Sequence, residues 1–439
     1  MKEQQILPSS SSPDGAASRD TASRDAAARR EKRKARRKLW LDIHLYIGLV
    51  AGAMLALIGL TGSALVFWTE IDEMLDPAMF TSAAPPEGEA AFAPLGRIGE
   101  ALNAALPAGA KPGGVGMPRN ESGCYKVYYE DAKTGDTRRL CIDPYTAKVL
   151  GDRVYWSKSG VAHHSFMSFL FQLHWSLLLY DVAGDPGVVV GLAAILLVVS
   201  VFTGVYLWWP SPGKWLAAFT LKRNASGERL NYDLHKLGGL YTAAVLLAVL
   251  ISGVSMNLDT QFQWVVALFS PLSAAQRGEI VSGPADGRPR IPFEQAVDAA
   301  ARLYPEGRLE NVGFPKDATS VYEICRTDIA EISRFIGTRC AFVDQYSGEV
   351  VGVRDPVHGT AGDVFMQWQW PLHSGRAFGW TGRILVFVTG LVCPLLFVTG
   401  MIRWLQKRRA KRFHRGAGER AGHDPSHRLA ASAEKASRT

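Results

Sequence analysis

Several signatures are missing from the sequence, and each absence removes a class of chemistry. No G-x-G-x-x-G follows an expected strand, and neither a P-loop nor an H-E-x-x-H occurs. The chain therefore carries no obvious nicotinamide, flavin, P-loop nucleotide or zinc-peptidase site. Cysteine is scarce, with five in 439 residues. No cleavable leader is expected either. The first apolar run is preceded by 38 mostly polar residues and does not end at a small-residue cleavage site, so it reads as an uncleaved anchor.

Long apolar runs are what the chain does have. Leu45–Trp68, Val188–Trp209, Leu237–Leu258 and Ile384–Ile402 each approach the ~20 residues that cross a bilayer core at about 1.5 Å of helix rise per residue. The net charge of +8 is concentrated between and beyond them. Residues 29–38 read RREKRKARRK, the connection 210–234 carries Lys214, Lys222, Arg223 and Arg229, and the segment after the fourth run carries Arg403, Lys407, Arg408, Arg409, Lys411 and Arg412. If the spans alternate, all three clusters share one side, which the positive-inside rule makes the cytoplasm. Segments 70–186 and 259–381 are slightly acidic, with 10 basic against 15 acidic residues and 11 against 15. They are expected outside, in the periplasm of a Gram-negative cell. Topology and anionic lipid account for the basic charge, so nucleic acid is not an expected partner.

Self-comparison divides the chain in two. LWLDIHLYIGL (39–49) resembles LNYDLHKLGGL (230–240), with Gly48 and Gly239 four residues after His44 and His235. Gly62 and Gly253 follow at the same interval. Asp143, Tyr145 and Arg153 match Asp344, Tyr346 and Arg354, His174 matches His373, and Thr203-Gly204 matches Thr399-Gly400. The expected architecture is a membrane α-helical bundle of four spans in two parallel repeats, with two small outer α+β domains. The layout starts with a cytoplasmic basic tail disordered over 1–38, a span over 39–68 and an outer domain over 69–160. An interfacial histidine segment (161–186), a span (187–209) and a cytoplasmic loop (210–234) close the first half. The second half has a span (235–258), an outer domain (259–360), a histidine segment (361–381), a span (382–404) and a basic tail (405–439). Cys124 and Cys141 bracket a hairpin in one outer domain, and Cys325 and Cys340 bracket one in the other. One disulfide per domain is expected on an oxidising side, with Cys393 a buried thiol in the fourth span.

Histidine against hydrocarbon is costly unless partnered, and reads as functional by default. His44 and His235 open spans from the cytoplasmic side; His174 and His373 precede spans from the outer side. Each pair shares a depth, with one member from each repeat. A lone histidine of this kind would more often cap a helix, but four in two repeated contexts suit an iron porphyrin held by two opposed imidazoles. Two b-type haems are expected, one on His44 and His235 and one on His174 and His373. Gly48 and Gly239, one turn from their histidines, would let a flat macrocycle approach. No C-x-x-C-H is present, so attachment would be non-covalent. Zinc fits less well, since its ligands cluster at short spacing with Cys or carboxylate. No firm role follows for Asp42 and Asp233, or for His163, His164 and His358 beyond exposed loop positions or spare ligands.

Two span–domain–span units with D-x-H-x-x-x-G at the first and third spans resemble the PepSY-associated transmembrane helix family, over roughly residues 36–410. The family includes bacterial iron-regulated membrane proteins and ferric-siderophore reductases. The resemblance implies PepSY-like periplasmic domains and a multi-pass inner-membrane protein with both termini cytoplasmic. It also implies an oxidoreductase role, passing electrons to a ferric siderophore or other ferric chelate. With no nicotinamide site, the donor would be separate, a quinol or a cytoplasmic reductase. Haems near opposite faces of a ~30 Å core would leave on the order of 10 Å between edges. The rival reading is a non-enzymatic PepSY protein that binds or regulates a periplasmic partner or peptidase.

Overall fold

The apolar runs form the cores of four long helices, Pro13–Leu65, Pro186–Trp208, Gly227–Asn257 and Gly379–Gly422. The structure is a computed structural model that describes residues 13–160, 165–179, 185–329 and 338–422. Among the described residues, these four regions are long and apolar enough to cross a membrane. The first and last helices overrun their apolar cores. The stretch 1–38, expected as a disordered tail, is helical from Pro13 onward, and the fourth helix continues through its basic tail to Gly422. No Gly or Pro stands between Gly15 and Gly48. Ala, Arg, Lys and Glu are good helix formers that extend a helix once the apolar segment has nucleated it.

Two shorter helices carry the other histidines. Phe166–Ser176 ends where Leu177 turns left-handed at φ 52°. Ala361–Ser374 begins with a reciprocal cap between Thr360 and Asp363 and ends at left-handed Gly375. At 11 and 14 residues, they are about 16 and 21 Å long, short of the ~30 Å hydrocarbon core.

The chain forms two compact units. One comprises residues 1–50, 199–240 and 399–439; the other comprises 51–198 and 241–398. The second unit contains a single antiparallel sheet of eight strands. They are β1 (Lys111–Gly116), β2 (Tyr125–Glu130), β3 (Thr137–Ile142), β4 (Val149–Trp156), β5 (Arg308–Gly313), β6 (Val321–Thr327), β7 (Arg339–Asp344) and β8 (Val350–Arg354). Their order is β4-β3-β2-β1-β5-β6-β7-β8. The two expected outer domains thus share one sheet, joined where β1 pairs with β5 through Gly114–Gly313, Val115–Val312 and Gly116–Asn311. A Cβ on Gly114 would lie 2.6 Å from the Val312 carbonyl oxygen, so this close approach needs glycine. Helix Leu95–Ala105 buries Ile98 and Leu102 against Val115, Val127, Leu140 and Ile142. Helix Phe293–Leu303 buries Ala296, Val297 and Ala300 against Val312, Ile324 and Val343. Leu95, Met117 and Phe314 touch both clusters.

The cysteine expectation holds in one hairpin and not in the other. Cys325 and Cys340 stand directly opposite each other on β6 and β7 and are disulfide-bonded. Cys124 and Cys141 are buried free thiols. The residue opposite Cys141 is Lys126, so Cys124 lies two positions away, on the diagonal. The two thiols pack in one buried cluster with Met79 and Phe80 and are not joined. Where β6 and β7 place their cysteines, β2 and β3 place Tyr128 opposite Arg139. The Arg139 guanidinium lies over the rings of Phe80, Tyr128 and Tyr155 and is paired with buried Asp72 at 2.8 Å.

Candidate metal centres

Each unit brings two histidines face to face. In the first, His44 and His235 have ring centroids 6.2 Å apart with planes at 82°. In the second, His174 and His373 are 6.0 Å apart with planes at 72°. All four side chains are held at Nδ1. His44 Nδ1–H donates to the Ser200 carbonyl at 3.0 Å and faces the Thr203 hydroxyl at 3.1 Å. His174 does the same with Ile58 at 2.9 Å and Thr61 at 3.2 Å. His373 uses Val249 at 3.1 Å and Ser252 at 3.0 Å. His235 Nδ1 lies 3.0 Å from the Thr399 hydroxyl.

This arrangement fixes the tautomer. A carbonyl oxygen can only accept, so Nδ1 of His44, His174 and His373 must carry the proton. The hydroxyls point their own protons into their helices. Thr61 donates to Leu57 and Ile58, Thr203 to Ser200, and Ser252 to Ala248 and Val249. Their lone pairs are left for the imidazole. With Nδ1 protonated, Nε2 is bare and available to a metal, and a hydrogen bond at the distal nitrogen is what orients metal-bound histidines and raises their basicity.

A glycine follows every one of these hydroxyls. Cβ atoms added at Gly204, Gly62, Gly400 and Gly253 would lie 3.2, 2.8, 3.3 and 3.6 Å from Cε1 of His44, His174, His235 and His373. Because the glycine is four residues after the accepting carbonyl, its missing side chain opens that carbonyl to a donor from another helix. The four dipeptides Thr61-Gly62, Thr203-Gly204, Ser252-Gly253 and Thr399-Gly400 thus each cradle one imidazole. In the sequence the glycines and two of the threonines stand out only as repeated positions. The available signal was a hydroxyl residue before glycine in all four long helices.

The spacing can be tested against a shared metal. A nitrogen lies about 1.1 Å from the centre of a five-membered ring with bonds of about 1.33 Å, and a metal–imidazole bond is about 2.0–2.1 Å, so two such legs span about 6.3 Å. The centroid separations fit that span. The donor set suits a porphyrin, which supplies four nitrogens of its own and asks the protein for two. Among the described residues, the one group of three or more ligand-type side chains is Glu323, Cys325 and Cys340, and its cysteines are joined to each other. The His174–His373 pair borders a cavity of about 340 Å³ lined mostly by apolar side chains, including Phe171, Trp175, Leu246 and Val386.

Other expected positions fare differently. A Cβ on Gly48 would meet nothing within 4 Å, which leaves that helix surface open. The matched aspartates diverge. Asp42 is half-exposed and pairs with Lys38, whereas Asp233 is fully buried, pairs with Arg229 and Lys236, and accepts from the Lys222 backbone N–H. His358 is exposed beside Asp355. His163, His164, His423 and His427 lie outside the described residues.

Comparison with known proteins gives one family match. The model for the PepSY-associated TM region matches residues 24–407. No curated protein matches the chain in a sequence comparison.

Proposed function

The chain belongs to the PepSY-associated TM region family of membrane proteins, and we propose that it is an inner-membrane electron-transfer protein holding two b-type haems. The observation that carries this reading is the pair of facing histidines in each unit, with Nδ1 tied down and ring centres 6.0 and 6.2 Å apart. Bound iron would supply one-electron chemistry, with His44 and His235 holding one group and His174 and His373 the other. The protein's part is to orient Nε2, keep the proton on Nδ1 and, at the His174–His373 site, surround the metal with apolar side chains that exclude water.

Direction and acceptor belong to the same proposal. The basic clusters support cytoplasmic termini, and the Cys325–Cys340 bridge suits an oxidising outer side. The mirrored strand order and the recurring hydroxyl–glycine cradles support two parallel repeats with PepSY-like halves of one sheet. The acceptor would be a ferric chelate of the siderophore type. Hard oxygen ligands hold Fe³⁺ far better than Fe²⁺, so one electron loosens the complex. The donor would be a quinol or a cytoplasmic reductase. The test is a spectrum of the purified protein. A Soret band with two haem equivalents per chain, reoxidised by ferric chelate after reduction, is expected. A colourless, haem-free protein would favour a binding or regulatory PepSY protein instead.

A further inference from the structure

We infer that the hydroxyl residues Thr61, Thr203, Ser252 and Thr399 are positioning residues that hold the two imidazoles of each pair crossed over a shared iron. The inference rests on the haem reading above and adds a property that reading does not require. Two-imidazole iron forms with parallel or crossed rings, and a ring free to spin about its Nε2–metal axis would choose for itself. Here the rings cannot choose. Nδ1 of His44, His174 and His373 is held on a neighbouring helix by a carbonyl and by a hydroxyl three residues later, and at His44 the Ser200 hydroxyl lies 3.3 Å away as a third neighbour. Cε1 of all four rings rests beside the glycine that follows the hydroxyl. Rotation about the metal axis would carry Nδ1 out of that cradle and strand a buried N–H. The resulting interplanar angles are 82° and 72°.

Crossing has a spectroscopic consequence. Each imidazole donates most strongly into the iron d orbital perpendicular to its own plane. Crossed rings treat the two such orbitals alike, whereas parallel rings single one out. Ferric iron between crossed imidazoles therefore gives an electron paramagnetic resonance spectrum dominated by one large-g feature. Parallel rings give a resolved rhombic spectrum with three features. The hydroxyl acts on potential as well. Acceptors at Nδ1–H make the imidazole a better donor and favour ferric iron, so loss of the hydroxyl beside the carbonyl raises the midpoint potential.

The experiment uses full-length protein purified in detergent, with haem content measured before any spectrum is taken. Wild type should hold two haems, both with the large-g signal. Thr61→Val with Ser252→Ala should convert one haem equivalent to a rhombic signal, raise the midpoint potential of that haem and weaken haem retention about tenfold. Thr203→Val with Thr399→Val should do the same to the other. Thr61→Ser, which keeps the hydroxyl, should leave both signal and potential as in wild type. Variants that keep haem, line shape and potential would overturn the inference while leaving the haem reading intact. So would a wild-type protein with two haems and rhombic signals, or a Thr61→Ser protein behaving like the Thr61→Val, Ser252→Ala double variant. A haem-free wild type would overturn both.

Discussion

Arg383, near the start of the fourth long helix, donates to Glu70 Oε1 at 2.8 Å. Arg119 reaches the same oxygen at 2.9 Å from the loop between β1 and β2, so one carboxylate bridges a long helix and the sheet. Burial alone would raise the Glu70 pKa, but the two guanidinium groups outweigh it and hold it at about 2. Because the folded value lies below the ordinary one, the stabilisation is complete above about pH 4.5 and is lost as pH falls through about 2. The site is partly open to solvent, so Glu70→Gln should cost about 1 kcal/mol at neutral pH. Thermal unfolding in detergent across pH 7 to 2 checks this: the gap between variant and wild type should close towards the acid end.

Single and paired histidine replacements test the assignment of ligands to sites. His44→Ala or His235→Ala should each remove about one haem equivalent, and the same one. His174→Ala or His373→Ala should remove the other. A double change within a pair should cost little more than either single change, because both act on one site. Pyridine-haemochrome quantitation decides it. Depletion of different haems by His44→Ala and His235→Ala would break the pairing.

The glycines predict a graded series. Gly62→Ala puts a methyl group 2.8 Å from the His174 ring, closer than side chains tolerate, whereas Gly253→Ala puts one at an ordinary 3.6 Å from His373. Haem retention should fall clearly in the first variant and stay near wild type in the second. Gly204→Ala and Gly400→Ala, at 3.2 and 3.3 Å, should lie between. Equal losses across the series would mean that these glycines serve helix packing rather than the imidazoles.

The cysteines should separate into one bridge and three thiols. Non-reducing peptide mapping should find Cys325 joined to Cys340, with Cys124, Cys141 and Cys393 alkylated only after unfolding. The adjacent Cys124 and burial both push the Cys141 thiol well above its ordinary pKa, which suppresses the reactive thiolate. Cys325→Ser should destabilise the sheet by about 3 kcal/mol, the value for a closed loop of about 15 residues. A bridge between Cys124 and Cys141 in the native protein would contradict this assignment.

Much of this site could be read from the chain because repetition made the histidines visible. The long helices were legible in the apolar runs, and the meeting of His44 with His235 and of His174 with His373 followed from matched position. What stayed hidden depends on phase and register. Thr61 and Ser252 are unremarkable hydroxyls in apolar helices until a histidine from elsewhere is seen to reach the carbonyl three residues before them. In the first hairpin the cysteines are offset by two residues from direct opposition, which periodicity does not report. Pairing of β1 with β5 joins strands that no local pattern connects.

That last pairing sets an order of assembly. Val115 meets Val312, about 200 residues later in the chain. At roughly 5–20 residues per second of synthesis, the wait is on the order of 10–40 s. During that interval β1 is a naked edge, while the second and third long helices must enter the bilayer. A nascent chain stalled before Arg308 would display half a sheet with an open side.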